Sequence, residues 1–283
     1  MRFALPQVMV HRLRNGVEIG HLSSRYRRGD VEVRKSAILL ASIVLAVLLA
    51  SGAALAATID CRAGAHRCYG TDGPDTIDGS GVSDTISAKA SADKVFGNGG
   101  RDTIDGRGGI DDIYGNDGRD QIQGQDGDDT LRGNDGNDFL RGDVGDDTIM
   151  GGRGKDTVSA SPISGGIDRI YGGPDDDSLY DAGGRNVIAG GPGDDVVAGH
   201  SKLVGGTGND ELYGETGIVG GPRIILGGAG KDFVSSQGET DDTVYVSDGE
   251  RDVVDDCGDG TDTVYLDDLD EVNSTTCEEL VPR

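Results

Sequence analysis

The chain has 283 residues, 51 of them Asp or Glu against 26 Lys or Arg, for a formal net charge of −25. So acidic a surface argues against nucleic acid and anionic membrane as partners and for cations. Aromatic residues are 4 % of the chain, Trp is absent and Gly numbers 50, which disfavours a large conventional core; no three-residue period marks a collagen.

In chain order, residues 1–36 are basic and patternless, and Ala37–Ala50 is an apolar run preceded by Arg34-Lys35. Ala54-Leu55-Ala56 follows as an A-x-A site, so residues 1–56 read as a basic n-region plus a secretory signal cleaved after Ala56. The leading segment is long for an n-region, and the expected translation start lies downstream, at Val31 or Val33. An uncleaved anchor is the alternative. Residues 1–56 hold eight basic and three acidic side chains, which leaves a net of −30 over the remaining 227 residues. The expected mature protein is secreted, or held at the cell surface, and has no membrane contact once the signal is removed.

Residues 57–69 read as an N-terminal cap. All four cysteines follow the signal, in two local pairs: Cys61 with Cys68, and Cys257 with Cys277. In an exported chain the spacing suggests those two disulfides, although four cysteines allow three connectivities. A zinc site is the other reading, but the spacings do not match a finger and no histidine cluster accompanies them.

From Gly70 to Ser159 the chain divides into ten consecutive nonapeptides. Position 6 is always Asp: Asp75, Asp84, Asp93, Asp102, Asp111, Asp120, Asp129, Asp138, Asp147 and Asp156. Position 8 is always aliphatic, from Ile77 and Ile86 to Ile149 and Val158. Position 1 is Gly except at Ala88, and position 4 is Gly except at Val82 and Ser91. Four columns in register over ninety residues define a repeat architecture. The glycines suit a tight six-residue turn through backbone angles closed to other residues. The last three residues, such as Thr130-Leu131-Arg132, alternate polar and apolar and predict a short strand with one inward side chain. One core residue per unit cannot fold alone, so neighbouring units must stack.

The motif G-x-x-G-x-D-x-U-x, as in Gly133-Asn134-Asp135-Gly136-Asn137-Asp138-Phe139-Leu140-Arg141, resembles the repeats-in-toxin, or hemolysin-type calcium-binding, nonapeptides. The resemblance covers roughly Gly70 to Leu280. It implies an all-β parallel β-roll, a β-solenoid with two nonapeptides per coil and turns along both edges, its ends capped by disulfides. Position-6 carboxylates two blocks apart would then lie one strand spacing, about 4.8 Å, from each other. At that distance they repel by roughly 3 kcal/mol at an effective dielectric near 20. Oxygen-only ligands suit a hard cation, and their flexibility favours several Ca²⁺ ions over Mg²⁺. The ten position-6 aspartates are the expected carboxylate ligands. Turn backbone at Gly97, Gly100, Gly106, Gly109, Gly115, Gly118, Gly124, Gly127, Gly133, Gly136, Gly142, Gly145, Gly151 and Gly154 is expected to contribute carbonyls. The chain without calcium is expected to be largely unfolded and to fold on metal.

After Ser159 the register breaks. Ala160–Pro162 reads as a short insertion, and residues 160–235 as degenerate repeats with weaker metal candidates at Asp177, Asp195, Asp210 and Asp232. Asn186 replaces one aspartate, and Gly199–Val204 and Gly214–Leu226 lack one altogether. Residues 236–283 show ten-residue spacing and then a C-terminal cap. Many toxin-type relatives carry a catalytic or pore-forming domain ahead of the repeats, and about thirteen residues between the cleavage site and Gly70 leave no room for one.

No H-E-x-x-H, G-x-S-x-G or P-loop motif occurs. His66 and His200 are expected to be exposed turn residues. Paired acids such as Asp128-Asp129 read as a ligand plus a solvated neighbour rather than a glycosidase pair. The sequence therefore predicts a non-enzymatic, secreted calcium-binding protein. The alternative is an extracellular adhesin or interaction module, touching a surface glycan, ice or a protein through position-7 threonines (Thr76, Thr85, Thr103, Thr130, Thr148, Thr157).

Overall fold

The computed structural model describes residues 56–61, 66–160, 166–181, 183–200, 202–215 and 222–283. The predicted signal up to Leu55, most of the insertion and part of the Gly214–Leu226 stretch lie outside the described residues.

Alternation within each unit sets the geometry. In β9 (Thr130–Asp135) the side chain of Leu131 and the backbone of Gly133 face inward, while Thr130, Arg132 and Asn134 face outward. The chain then turns and β10 (Phe139–Val144) repeats the pattern with Leu140 inside. Strand β11 (Thr148–Arg153) pairs parallel with β9, placing Ile149 beside Leu131. The partner is eighteen residues away, so one coil holds two nonapeptides. Among the described residues twenty-five strands alternate between two sheets in this way. The odd-numbered ones, from β1 (Ala57–Asp60) to β25 (Glu279–Pro282), form one thirteen-stranded sheet. The even-numbered ones, from β2 (Arg67–Tyr69) to β24 (Glu271–Val272), form a twelve-stranded sheet. No helix occurs among the described residues.

The core is a stack of position-8 aliphatics. Ile77, Val95, Ile113, Leu131 and Ile149 from one sheet, and Ile86, Ile104, Ile122, Leu140 and Val158 from the other, are 0–1 % exposed. It continues through Ile170, Leu179, Ile188, Val197, Leu203, Leu212, Ile225, Val234, Val244, Val254 and Val264. Coil length is less regular there: the step from Asp147 to Asp168 is 21 residues, from Asp195 to Asp210 it is 15, and from Asp210 to Asp232 it is 22. The extra or missing residues fall in turns, since the inward column must stay in register.

Most strands of the regular array are longer than the three residues predicted. They run through position 1 into position 3 of the next unit, as Thr130–Asp135 shows, because the parallel ladder continues past the inward glycine. Both disulfides are present, Cys61–Cys68 and Cys257–Cys277. The first belongs to the roll itself: Cys68 pairs in register with Ile86 and occupies a core position, so β1 and β2 belong to the first coil.

Candidate metal centre

Position 6 is the last turn residue before each strand, and its side chain points inward. Ten aspartates expected as ligands are 0–4 % exposed. They line the two edges as separate ladders. On one edge the N–H of Asp102 donates to Asp120 Oδ1 (2.8 Å), that of Asp120 to Asp138 (2.7 Å) and that of Asp138 to Asp156 (2.8 Å). The ladder continues through Asp177, Asp195, Asp210 and Asp232 to Asp252. On the other edge it runs from Asp75 through Asp93, Asp111, Asp129 and Asp147 to Asp168. Thus one oxygen of each carboxylate in these ladders bridges to the backbone of the preceding coil; Asp84 is the exception, its Oδ2 held by Ser80 of its own turn and its Oδ1 without a hydrogen bond.

The second oxygen has no such partner. Oδ2 of Asp93, Asp102, Asp111, Asp120, Asp129, Asp138, Asp147, Asp156, Asp177, Asp195, Asp210 and Asp232 is buried without a hydrogen bond. An anionic oxygen in that state is costly and draws a proton or a cation. Burial accordingly pushes Asp93, Asp102, Asp129, Asp147, Asp156 and Asp210 up to about 7, with like-charged neighbours adding to it. Asp138 and Asp232 rise to about 6 and Asp177 to about 8, burial again leading. Asp111, Asp120 and Asp195 are raised for the same reason. In the two turns nearest the N-terminal end of the array, hydroxyls partly fill the role: Thr71 Oγ1 donates to Asp75 Oδ2 and Ser80 Oγ to Asp84 Oδ2.

The two glycine columns do different work. Position-4 glycines Gly100, Gly109, Gly118, Gly127, Gly136, Gly145 and Gly154 have φ between +110° and +154°, as a tight turn requires. Position-1 glycines do not adopt positive φ, which corrects the expectation for Gly97, Gly106, Gly115, Gly124, Gly133, Gly142 and Gly151. They leave space. A Cβ on Gly133 would lie 2.3 Å from Asp138 Oδ2 and 2.4 Å from the Gly151 carbonyl one coil on. Gly97 stands likewise against Asp102 and Gly115, and Gly124 against Asp129 and Gly142. Each turn thus keeps open a gap bounded by an unpaired carboxylate oxygen and a carbonyl of the next coil. Position 2 was missed in the sequence: Asn98, Arg107, Asn116, Gln125, Asn134 and Asp143 have φ of 72–78°. The recurrent Asn is the legible signal, since Asn tolerates that region.

Among the described residues no three His, Cys, Asp or Glu side chains gather into a metal cluster. One carboxylate per turn, with carbonyls around it, is a donor set for a hard ion and fits Ca²⁺. His200 is buried, contrary to expectation, with Nδ1 3.3 Å from the Asp181 carbonyl, while His66 is exposed. The position-7 threonines do not form one face. Thr76, Thr130 and Thr148 lie on the odd-stranded sheet, with Lys94 and Asp112 between them, and Thr85, Thr103 and Thr157 lie on the other.

The model of the RTX calcium-binding nonapeptide repeat family matches residues 69–104, 78–113, 105–140, 123–158, 163–197 and 198–217, together just over half of the chain. The chain belongs to that family. No curated protein matches it. Repeats of this family bind Ca²⁺, and the regularly spaced buried aspartates agree with calcium as the ligand. Proteins with such repeats are generally secreted, and no helix of the described residues is long and apolar enough to cross a membrane.

Proposed function

We propose that this is a secreted, non-enzymatic calcium-binding β-roll whose coils assemble when Ca²⁺ is met outside the cell. The observation that carries the reading is the row of buried Asp Oδ2 atoms left without a partner on both edges. Bound Ca²⁺ would supply the positive charge that each gap lacks. The chain's own residues do the rest. Asp Oδ1 ties each coil to the one before, Asp Oδ2 of residues such as Asp120 and Asp129 faces the gap, and position-1 glycines hold the gap open. Position-6 aspartates and the turn carbonyls of Gly97–Gly100, Gly106–Gly109 and their equivalents are the proposed ligands, with Asp177, Asp195, Asp210 and Asp232 extending the series. The apolar stretch before Ala56 and the two disulfides support export to an oxidising compartment.

Extracellular calcium modules bind in the range of about 0.1–1 mM. Binding at that level would separate the cytoplasm, where the coils repel, from the exterior, where they stack. Far-UV circular dichroism of the secreted chain in EDTA, followed by calcium titration, tests this. A sheet signal appearing only with calcium is expected; an equal signal in EDTA refutes folding on metal.

A further inference from the structure

Resting on that calcium reading, we propose that Arg223 is a tethered replacement for a calcium ion, so that the turn it enters binds no metal. Its neighbours pair Ile224 with Thr243 and Ile225 with Val244, which puts Arg223 in the position-6 column beside Asp242. Its N–H donates to Asp242 Oδ1 at 2.9 Å, the same rung that joins aspartates elsewhere. The side chain is 2 % exposed, an extreme burial for an arginine, and it turns into the gap. Nη1 donates to Asp242 Oδ2 (2.9 Å) and to the Ser236 carbonyl (3.1 Å), and also to the Gln237 carbonyl. Nη2 donates to the carbonyl of Glu215, in the turn one coil earlier.

These partners are of the same kind as the atoms around the other turns, carbonyls of successive coils and one position-6 carboxylate, with the Ser236 carbonyl standing where the next coil's carbonyl bounds a regular gap. Ser236 corresponds to the position-1 residues whose carbonyls bound the regular gaps, since Gly214 stands against it as Gly133 stands against Gly151. A fixed positive charge therefore sits where the ion would. Oδ2 of Asp242 is hydrogen-bonded, by Arg223 Nη1 and by the Ser236 hydroxyl, whereas Oδ2 of Asp232, Asp252 and Asp262 is not. A guanidinium suits the place because it presents planar donors to several carbonyls and stays charged. On the same edge Asn186 does a neutral version: its Oδ1 accepts from the Asp168 N–H, while Nδ2 donates to Asp181 Oδ2 and the Gly183 carbonyl. The edge carrying Asp75 to Asp168 thus has tethered donors at Asn186 and Arg223 before an unpaired Oδ2 returns at Asp262, while the opposite edge keeps unpaired aspartates as far as Asp252.

Calcium stoichiometry of the full secreted chain, by calorimetry with Asp232→Asn, Asp242→Asn and Arg223→Asp, tests the assignment. Asp232→Asn should lose one ion, Asp242→Asn none, and Arg223→Asp should gain one. Loss of an ion in Asp242→Asn, or no gain in a folded Arg223→Asp, overturns it. No loss in Asp232→Asn would instead sink the calcium reading beneath it. Anomalous scattering from crystals of the unmutated chain grown in calcium decides independently of any variant's folding. A peak is expected beside Asp232 and none beside Asp242; a peak beside Asp242 rules the proposal out.

Discussion

At the scale of one residue, each turn aspartate has two separable duties. Asp120 Oδ1 accepts the Asp102 N–H, and its Oδ2 faces the gap unpaired. Asp120→Asn keeps the acceptor and removes the charge, so it should lose one calcium ion with little change in the roll's stability otherwise. Asp120→Ala should lose the ion and also leave the Asp102 N–H unpaired, at about 1–3 kcal/mol. Calorimetry for the ion and urea unfolding in calcium for the stability separate the two. Gly133→Ala places a methyl against Asp138 Oδ2 and the Gly151 carbonyl. It should weaken calcium binding at that turn although its backbone angles suit alanine. Gly136→Ala, at φ +148°, should strain the backbone by about 1–3 kcal/mol and also drive a methyl into the Gly118 carbonyl of the preceding coil, so it should destabilise the roll more than Gly133→Ala does.

At the scale of a coil, stability comes from neighbours. Leu131 is 0 % exposed between Ile113 and Ile149, so Leu131→Ala should cost about 2–5 kcal/mol in calcium, measured by urea unfolding. Hydrogen exchange should show the loss in adjacent coils first, because each coil touches only the next. The aliphatic and aspartate columns were legible because they repeat every nine residues. The space-keeping role of position-1 glycines was not, since the atoms they avoid include a carbonyl eighteen residues away. Arg223 hid for a similar reason. Its sequence neighbours show only that an aspartate is missing, and its partners Ser236, Gln237, Asp242 and Glu215 meet only when coils stack. His200 looked like a turn residue and is buried because its coil is three residues short of the usual eighteen.

For the whole molecule, the raised carboxyls set a pH dependence whose sign depends on calcium. In EDTA a folded roll needs protons in place of calcium on aspartates raised from 3.8 to about 6–8, chiefly by burial, so it persists at acid pH and is lost at neutral pH. Folded-state values above unfolded ones mean that stability is fully present below about pH 4 and lost as pH rises through 6–8. With saturating calcium the carboxylates must be ionised, so stability should rise with pH through the same window. Thermal unfolding at pH 4 to 8, with and without chelator, should show curves of opposite slope; parallel curves would count against the buried aspartates as ligands.

By itself the sequence determined the solenoid, its period, its aliphatic axis and the acids along its edges, because a column repeated every nine residues is a local pattern. Only the tertiary structure decided which carboxylate oxygens are left unpaired, which glycines keep space rather than bend the chain, and where a guanidinium sits in a turn. Those depend on contacts between one coil and the next, and coil lengths of 15 to 22 residues place such partners beyond any fixed spacing.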